Sequence, residues 1–232
     1  QTKTTLTTKP SEFGSLPKFT DDDINKITEL GILERARELS QFKSATELKK
    51  TDGKKTSKLY GILKLDDAHF AGTAKSGSCS LILTEGDSAR TFAIKACDTL
   101  DTDQRKYIGV YPLRGKMLNV KNATIKQLQE NNEINELKRI LGLKQGANYF
   151  NDASSLRYGS IIIMTDADTD GDHIKGLIMN FFHSEWKSLL ERNGFVKTVV
   201  MPIIKATRKG VKITSANKAK NEFSFHTMES YE

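Results

Sequence analysis

The sequence predicts an α/β fold with a mostly parallel sheet, and three stretches carry that reading. Ile161 to Met164 is an unbroken apolar run without alternation, as in a strand buried on both faces. Leu81 to Leu83 is a second short run, closed by Thr84, Glu85 and Gly86 and followed by a helix through about Asp98 that Asp87 or Ser88 can cap. Tyr107 to Leu113 reads as a third strand, with Pro112 near its end. A helical pair over residues 122–145, striped by Ile134, Leu137 and Leu141, and an apolar helical pattern from His173 toward Leu190 supply the flanking layers.

The remaining elements follow in chain order. Residues 1–19 are rich in Thr and Lys, with Phe13 and Phe19 as isolated anchors, and read as a connector. From Thr20 a capping residue, acids in the first turn and Ile24, Ile27, Leu30, Leu33 and Leu39 predict one helix, kinked at Gly31. Residues 43–58 are dense in lysine; they read as a mobile, solvated linker, with contact to a phosphate backbone as the sharper alternative. Leu59 to Gly77 carries little regular signal. The expected division is therefore a connector (1–19), a helix plus lysine-rich linker (20–77) and a metal-binding domain (78–232). VKTVVMPIIKA, VKITS and EFSFHT read as strands that close it.

With 232 residues and 37% hydrophobic content, the chain can bury a real core. A net charge of +7 around an acidic site points to a polyanion presented to a bound metal, although a lysine-rich surface alone is common. The two cysteines, Cys79 and Cys97, have neither metal-ligand spacing nor a disulfide framework and fit a reducing compartment. There is no signal peptide and no membrane-length apolar run, so a soluble protein is expected. A start at Gln1 and an end at Glu232 suggest a fragment of something longer.

The chemistry concentrates after Met164. Asp166, Asp168 and Asp170 fall at every second position, and Gly171 gives the backbone freedom to turn. Carboxylates crowded at a strand's carboxyl end, where open α/β sheets place ligands, repel one another unless a cation joins them; a solvated acidic turn is the plain alternative. Aspartate oxygens suit Mg²⁺, Ca²⁺ or Mn²⁺ rather than zinc. The pattern also matches half of an EF-hand loop, but Leu177 stands where the closing glutamate should, and the entering segment reads as a strand. By its local pattern Glu85 is an exposed loop acid; adjacent parallel strands would bring it into the same crevice. Arg114 and Lys116 flank Gly115, so the backbone there can approach a phosphate while the cations neutralise it.

EGDSA at 85–89, YPLRGKMLNV at 111–120, SLRYG at 155–159 and TDADTDGDHIKGL at 165–177 resemble the signatures of the type II DNA topoisomerases, nearest their eukaryotic branch and its viral relatives. The resemblance implies a Toprim fold that holds Mg²⁺ (Mn²⁺ or Ca²⁺ may substitute) through Glu85, Asp166 and Asp168, with Asp170 in support. Glu85 is implied as acid/base near the leaving 3′ oxygen, and Arg114 and Lys116 as catalytic cations. Arg114, Gly115, Lys116 and Asn119 match positions that line the cleavage site or contact DNA. Gln1, Thr2 and Lys3 resemble the loop that touches the terminal phosphate of ATP, and SEFGS at 11–15 the junction that follows. The end, MESYE, resembles the approach to a winged-helix domain bearing the nucleophilic tyrosine. Double-stranded DNA, ATP and a homodimer are implied for the whole enzyme. Its expected location is the nucleus if cellular, or the host cytoplasm or nucleus if viral. Eukaryotic members usually read DQDHDGSHI, so Ala167, Thr169 and Asp172 depart from the pattern, and Asp172 adds a negative charge. Another Toprim enzyme, a nuclease or primase, and a non-catalytic DNA-binding module are the rival readings.

Overall fold

The computed structural model describes residues 20–200, 202, 204–210, 212, 214, 221–226 and 229–231. Two compact units divide at Ser44 and Ala45. In the first, Thr20 caps helix α1 (Asp21–Glu29): its hydroxyl accepts from the Asp23 amide at 3.2 Å, and the Asp23 carboxylate accepts from the Thr20 amide at 3.0 Å. The single kinked helix expected here is two helices. Gly31 takes φ +64, the left-handed conformation that ends a helix, and α2 (Ile32–Lys49) starts afresh.

The second unit holds a four-stranded, wholly parallel sheet in the order β2-β1-β3-β4: β1 (Ser80–Glu85), β2 (Ile108–Leu113), β3 (Ser160–Met164) and β4 (Val196–Thr198). Pro112 is tolerated because β2 lies at the sheet's edge, where a missing N–H breaks no central ladder. One face is covered by α3 (Gly86–Cys97), whose Ala93 and Cys97 pack on Val110 and Met164. The opposite face carries Leu81, Leu83, Ile161 and Ile163 against α6 (Asn132–Leu141) and α7 (Thr169–Leu190). The smaller helices α4 (Thr102–Arg105) and α5 (Ile125–Glu130) complete the connections. Covered on both faces, the central strands had to be continuous apolar runs, and this is what made them recognisable. The C-terminal strands do not extend the sheet: β5 (Ile204–Thr207) and β6 (Glu222–Phe225) form a separate antiparallel pair. The expected strand VKITS lies largely outside the described residues.

The lysine-rich stretch is part of this unit rather than a mobile linker. The Gly53 amide donates to Leu143 O at 2.8 Å, and Lys55 Nζ reaches Ser154 O at 2.5 Å. Arg157, fully buried, donates to Thr56 O at 2.7 Å, to Ile140 O at 2.8 Å and to the Asp67 carboxylate at 2.5 Å; Tyr158 gives its hydroxyl proton to the same Asp67. The signal-poor stretch from Leu59 to Gly77 is thus pinned by an ion pair between buried Arg157 and the half-buried Asp67, completed by backbone carbonyls.

Candidate functional site

Three adjacent strand ends assemble the site. β3 ends at Met164 and the chain passes through buried Thr165 to Asp166. Asp168 is the N-cap of α7; its Oδ1 accepts from the Gly171 amide at 2.7 Å. The helix therefore begins at Thr169, earlier than the expected His173, because an aspartate and not the apolar pattern marks its start. Asp170 and Asp172 become first-turn residues, paired with Lys116 at 2.9 Å and Lys175 at 2.9 Å. The Lys116 ammonium holds the Asp170 carboxyl below the usual carboxylate range. Gly171 serves close approach, not a turn: a Cβ there would lie 2.2 Å from Asp166 O. The EF-hand alternative fails on both expected counts, since Leu177 is buried within α7 and β3 enters the loop.

On the neighbouring strand, Thr84 is in register with Met164, so Glu85 emerges beside Thr165. Glu85 is itself the N-cap residue of α3 and makes no capping bond; Gly86 follows at φ +79. Neither Asp87 nor Ser88 caps the helix as expected, and Asp87 instead pairs with Lys64 at 2.6 Å. Glu85 Oε2 and Thr165 Oγ1 are both buried without a hydrogen-bond partner. A buried carboxylate oxygen left unpaired is costly unless a ligand or ion completes it.

The third strand end supplies the cations. Glu85 is in register with Leu113, and Arg114, Gly115 and Lys116 follow, all exposed. The Arg114 amide donates to Glu133 Oε1 at 2.6 Å, and its guanidinium lies 3.8 Å from Glu136, which also accepts from the Tyr111 hydroxyl. Burial pushes the Glu133 carboxyl above its usual range. The sequence assigned α6 to packing only; its two acids also hold the basic loop, a long-range role that no local pattern signalled. Gly115 sits at φ +81 with open space where a Cβ would be. Asn119 Oδ1 accepts from the Lys121 amide at 3.2 Å and from Asn180 Nδ2 at 2.8 Å, which ties the loop to α7.

The strand ends thus bring the loops of Glu85, Asp166, Asp168 and Asp170 together with that of Arg114, Gly115 and Lys116. Among the described residues no three acidic, histidine or cysteine side chains are grouped closely enough to hold a metal ion by themselves. The donor set suits a hard divalent cation that keeps most of its waters and takes one or two carboxylates. Gln1, Thr2 and Lys3 lie outside the described residues.

A Toprim domain model matches residues 80–202, from β1 to just beyond β4. The chain belongs to the Toprim family. Within it the chain is similar along its whole length to DNA topoisomerase 2: 47% identical over 232 residues to the Arabidopsis thaliana protein and 42% over 232 residues to that of Acanthamoeba polyphaga mimivirus. It spans 15% and 18% of those two proteins, respectively. The crystal structure of the Plasmodium falciparum topoisomerase II DNA-binding, cleavage and re-ligation domain superposes with a TM-score of 0.67 at 44% identity, covering 76% of this chain and 22% of that one. This Toprim chain therefore matches the Toprim region of type II topoisomerases of the eukaryotic and viral type.

Proposed function

We propose that the chain is the part of an ATP-dependent type II DNA topoisomerase that holds Mg²⁺ and the scissile phosphate while a tyrosine from elsewhere cuts and reseals duplex DNA. The observation that carries this reading is the buried, unpartnered Glu85 oxygen at the end of β1, next to the end of β3 that leads through Thr165 into the acidic loop. Glu85, Asp166 and Asp168 would hold the ion, with Asp170 in support. Bound Mg²⁺ supplies Lewis acidity toward the transferring phosphate and reverses the sign of an otherwise repulsive acidic site. Arg114 and Lys116 add fixed positive charge where negative charge develops. Gly115, without a Cβ, lets the DNA backbone come close. Glu85 would exchange a proton with the departing 3′ oxygen. Since each protomer would cut one strand, a homodimer is part of the proposal, as is ATP binding by an attached region. No helix among the described residues is long and apolar enough to cross a membrane.

Calorimetric titration with Mg²⁺ and Mn²⁺ tests the assignment. Glu85→Gln and Asp166→Asn should each weaken binding by at least about tenfold, the low end of what even outer-shell changes cost a metal site. Equal affinity in all three proteins would overturn it.

A further inference from the structure

A second basic site lies where the segment that follows α2 meets Arg139 in the last turn of α6. A cavity of about 350 Å³ is lined by Lys50, Lys54 and Arg139, together with Asp52, Thr56 and their neighbours. The single carboxylate cannot neutralise three cations, because Asp52 is already engaged by the buried Lys138 ammonium at 3.2 Å and by the Gln145 amide at 2.9 Å. Lys50 meets Glu47 at 2.6 Å, but both side chains are about half exposed or more and free to exchange partners with solvent. Lys54 forms no ion pair among the described residues. Arg139 donates Nη2 to Tyr60 O at 2.8 Å, which anchors its planar fork and leaves its other donors available.

These cations do not hang from a mobile tail. A Cβ on Gly53 would lie 2.1 Å from Lys138 O, and the Gly53 amide is bonded to Leu143 O. Three residues on, Thr56 O is held by buried Arg157. The backbone that presents Lys54 is therefore fixed on both sides, so the loop gives up little entropy when a ligand draws its charges together. Arg139 also follows Glu136 by three residues, on the same side of the helix that holds Arg114. From Glu133 to Arg139 the helix rises only about 9 Å.

We infer that this cavity takes a backbone phosphate of duplex DNA, a few nucleotides from the phosphate that lies at Arg114 and Lys116. The inference rests on the proposal that duplex DNA is the substrate, and it adds a contact beyond the cleavage site. A phosphate-backbone site fits because Lys50, Lys54 and Arg139 line the cavity with a single, already engaged carboxylate, a positive surface that carries no base-reading group.

Fluorescence anisotropy with a labelled duplex, repeated over a salt series, tests it. Lys54→Ala and Arg139→Gln should each reduce the log–log salt slope by about one, as loss of one phosphate contact does. Both should leave calorimetric Mg²⁺ affinity unchanged. Arg139→Lys, which keeps the charge, should restore the slope lost in Arg139→Gln if that loss is electrostatic rather than a folding defect. Unchanged slopes for Lys54→Ala and Arg139→Gln, with a reduced slope for Lys116→Ala, would overturn this site and leave the cleavage-site proposal standing. The converse pattern would sink the cleavage-site contact and keep this one. Binding of inorganic phosphate that depends on Lys54, without any change in the DNA slope, would assign the cavity to a free anion and overturn the duplex proposal.

Discussion

Glu133 is one of two carboxylates that hold the basic loop, and its environment makes it a pH probe. It is 9% exposed, and burial raises its carboxyl from an ordinary value of 4.5, against the smaller lowering influences of the Arg114 amide and guanidinium. The folded protein therefore holds this proton more tightly than the unfolded chain. The stability gained this way is complete below about pH 4.5 and is lost as pH rises through the raised native value. Glu133→Gln keeps an oxygen to accept from the Arg114 amide but cannot titrate. Urea unfolding of both proteins should show wild type losing stability relative to Glu133→Gln as pH rises above about 4.5 and through the raised native value. A pH-independent difference would mean that Glu133 is charged at no cost. The cysteines, by contrast, carry no such role: both are buried, and burial pushes the Cys79 thiol up to about 11, far from a reactive thiolate.

At the scale of elements, the start of α7 decides whether the acidic loop keeps its shape. Gly171 is in contact with Asp166 O, and its amide is the donor that fixes Asp168. Gly171→Ala must push the loop backbone away from the helix, at a cost of about 1–3 kcal/mol typical of overpacking. Thermal unfolding should report that loss, and calorimetry should report weaker Mg²⁺ binding than in a variant equally destabilised elsewhere; an alanine protein of wild-type stability would contradict the close approach. This contact was not legible in the sequence, where the same glycine suggested a turn. Strands β1, β2 and β3 were legible, because burial on both faces writes a continuous apolar run. The start of α1 was legible from its capping Thr20, but that of α7 was not, because a cap is a local hydrogen bond that competes with periodicity: Asp168 captured the Gly171 amide and brought the start forward by a turn. Glu85 carried the opposite lesson, since its local pattern was that of an exposed acid and only the register of β1 on β3 buries its oxygen.

Across the whole unit, the decisive long-range feature joins residues ninety apart, Asp67 and Arg157, which no local pattern can pair. Removing the carboxylate would leave a fully buried guanidinium with only carbonyl partners, so Asp67→Ala should cost about 3–5 kcal/mol in urea unfolding. Wild-type stability in that variant would make the pair dispensable. The same interior bears on catalysis. A topoisomerase needs a tyrosine whose hydroxyl can reach a phosphate, and the tyrosines nearest the site motifs cannot. Tyr111 and Tyr158 are buried, donate to Glu136 and Asp67, and have hydroxyl pKa values driven upward chiefly by burial. Exposed Tyr60 lies with its carbonyl on Arg139, in the segment before β1 rather than at the strand ends. The chain alone should therefore bind Mg²⁺ and DNA yet neither nick nor relax a supercoiled plasmid. Supplied with a downstream tyrosine-bearing segment of a type II topoisomerase, it should form a covalent protein–DNA adduct that needs Mg²⁺ and is lost in Glu85→Gln. Nicking by the purified chain that disappears in Asp166→Asn would show instead that the acidic loop activates water, and the site would then be that of a Toprim nuclease, complete without any tyrosine.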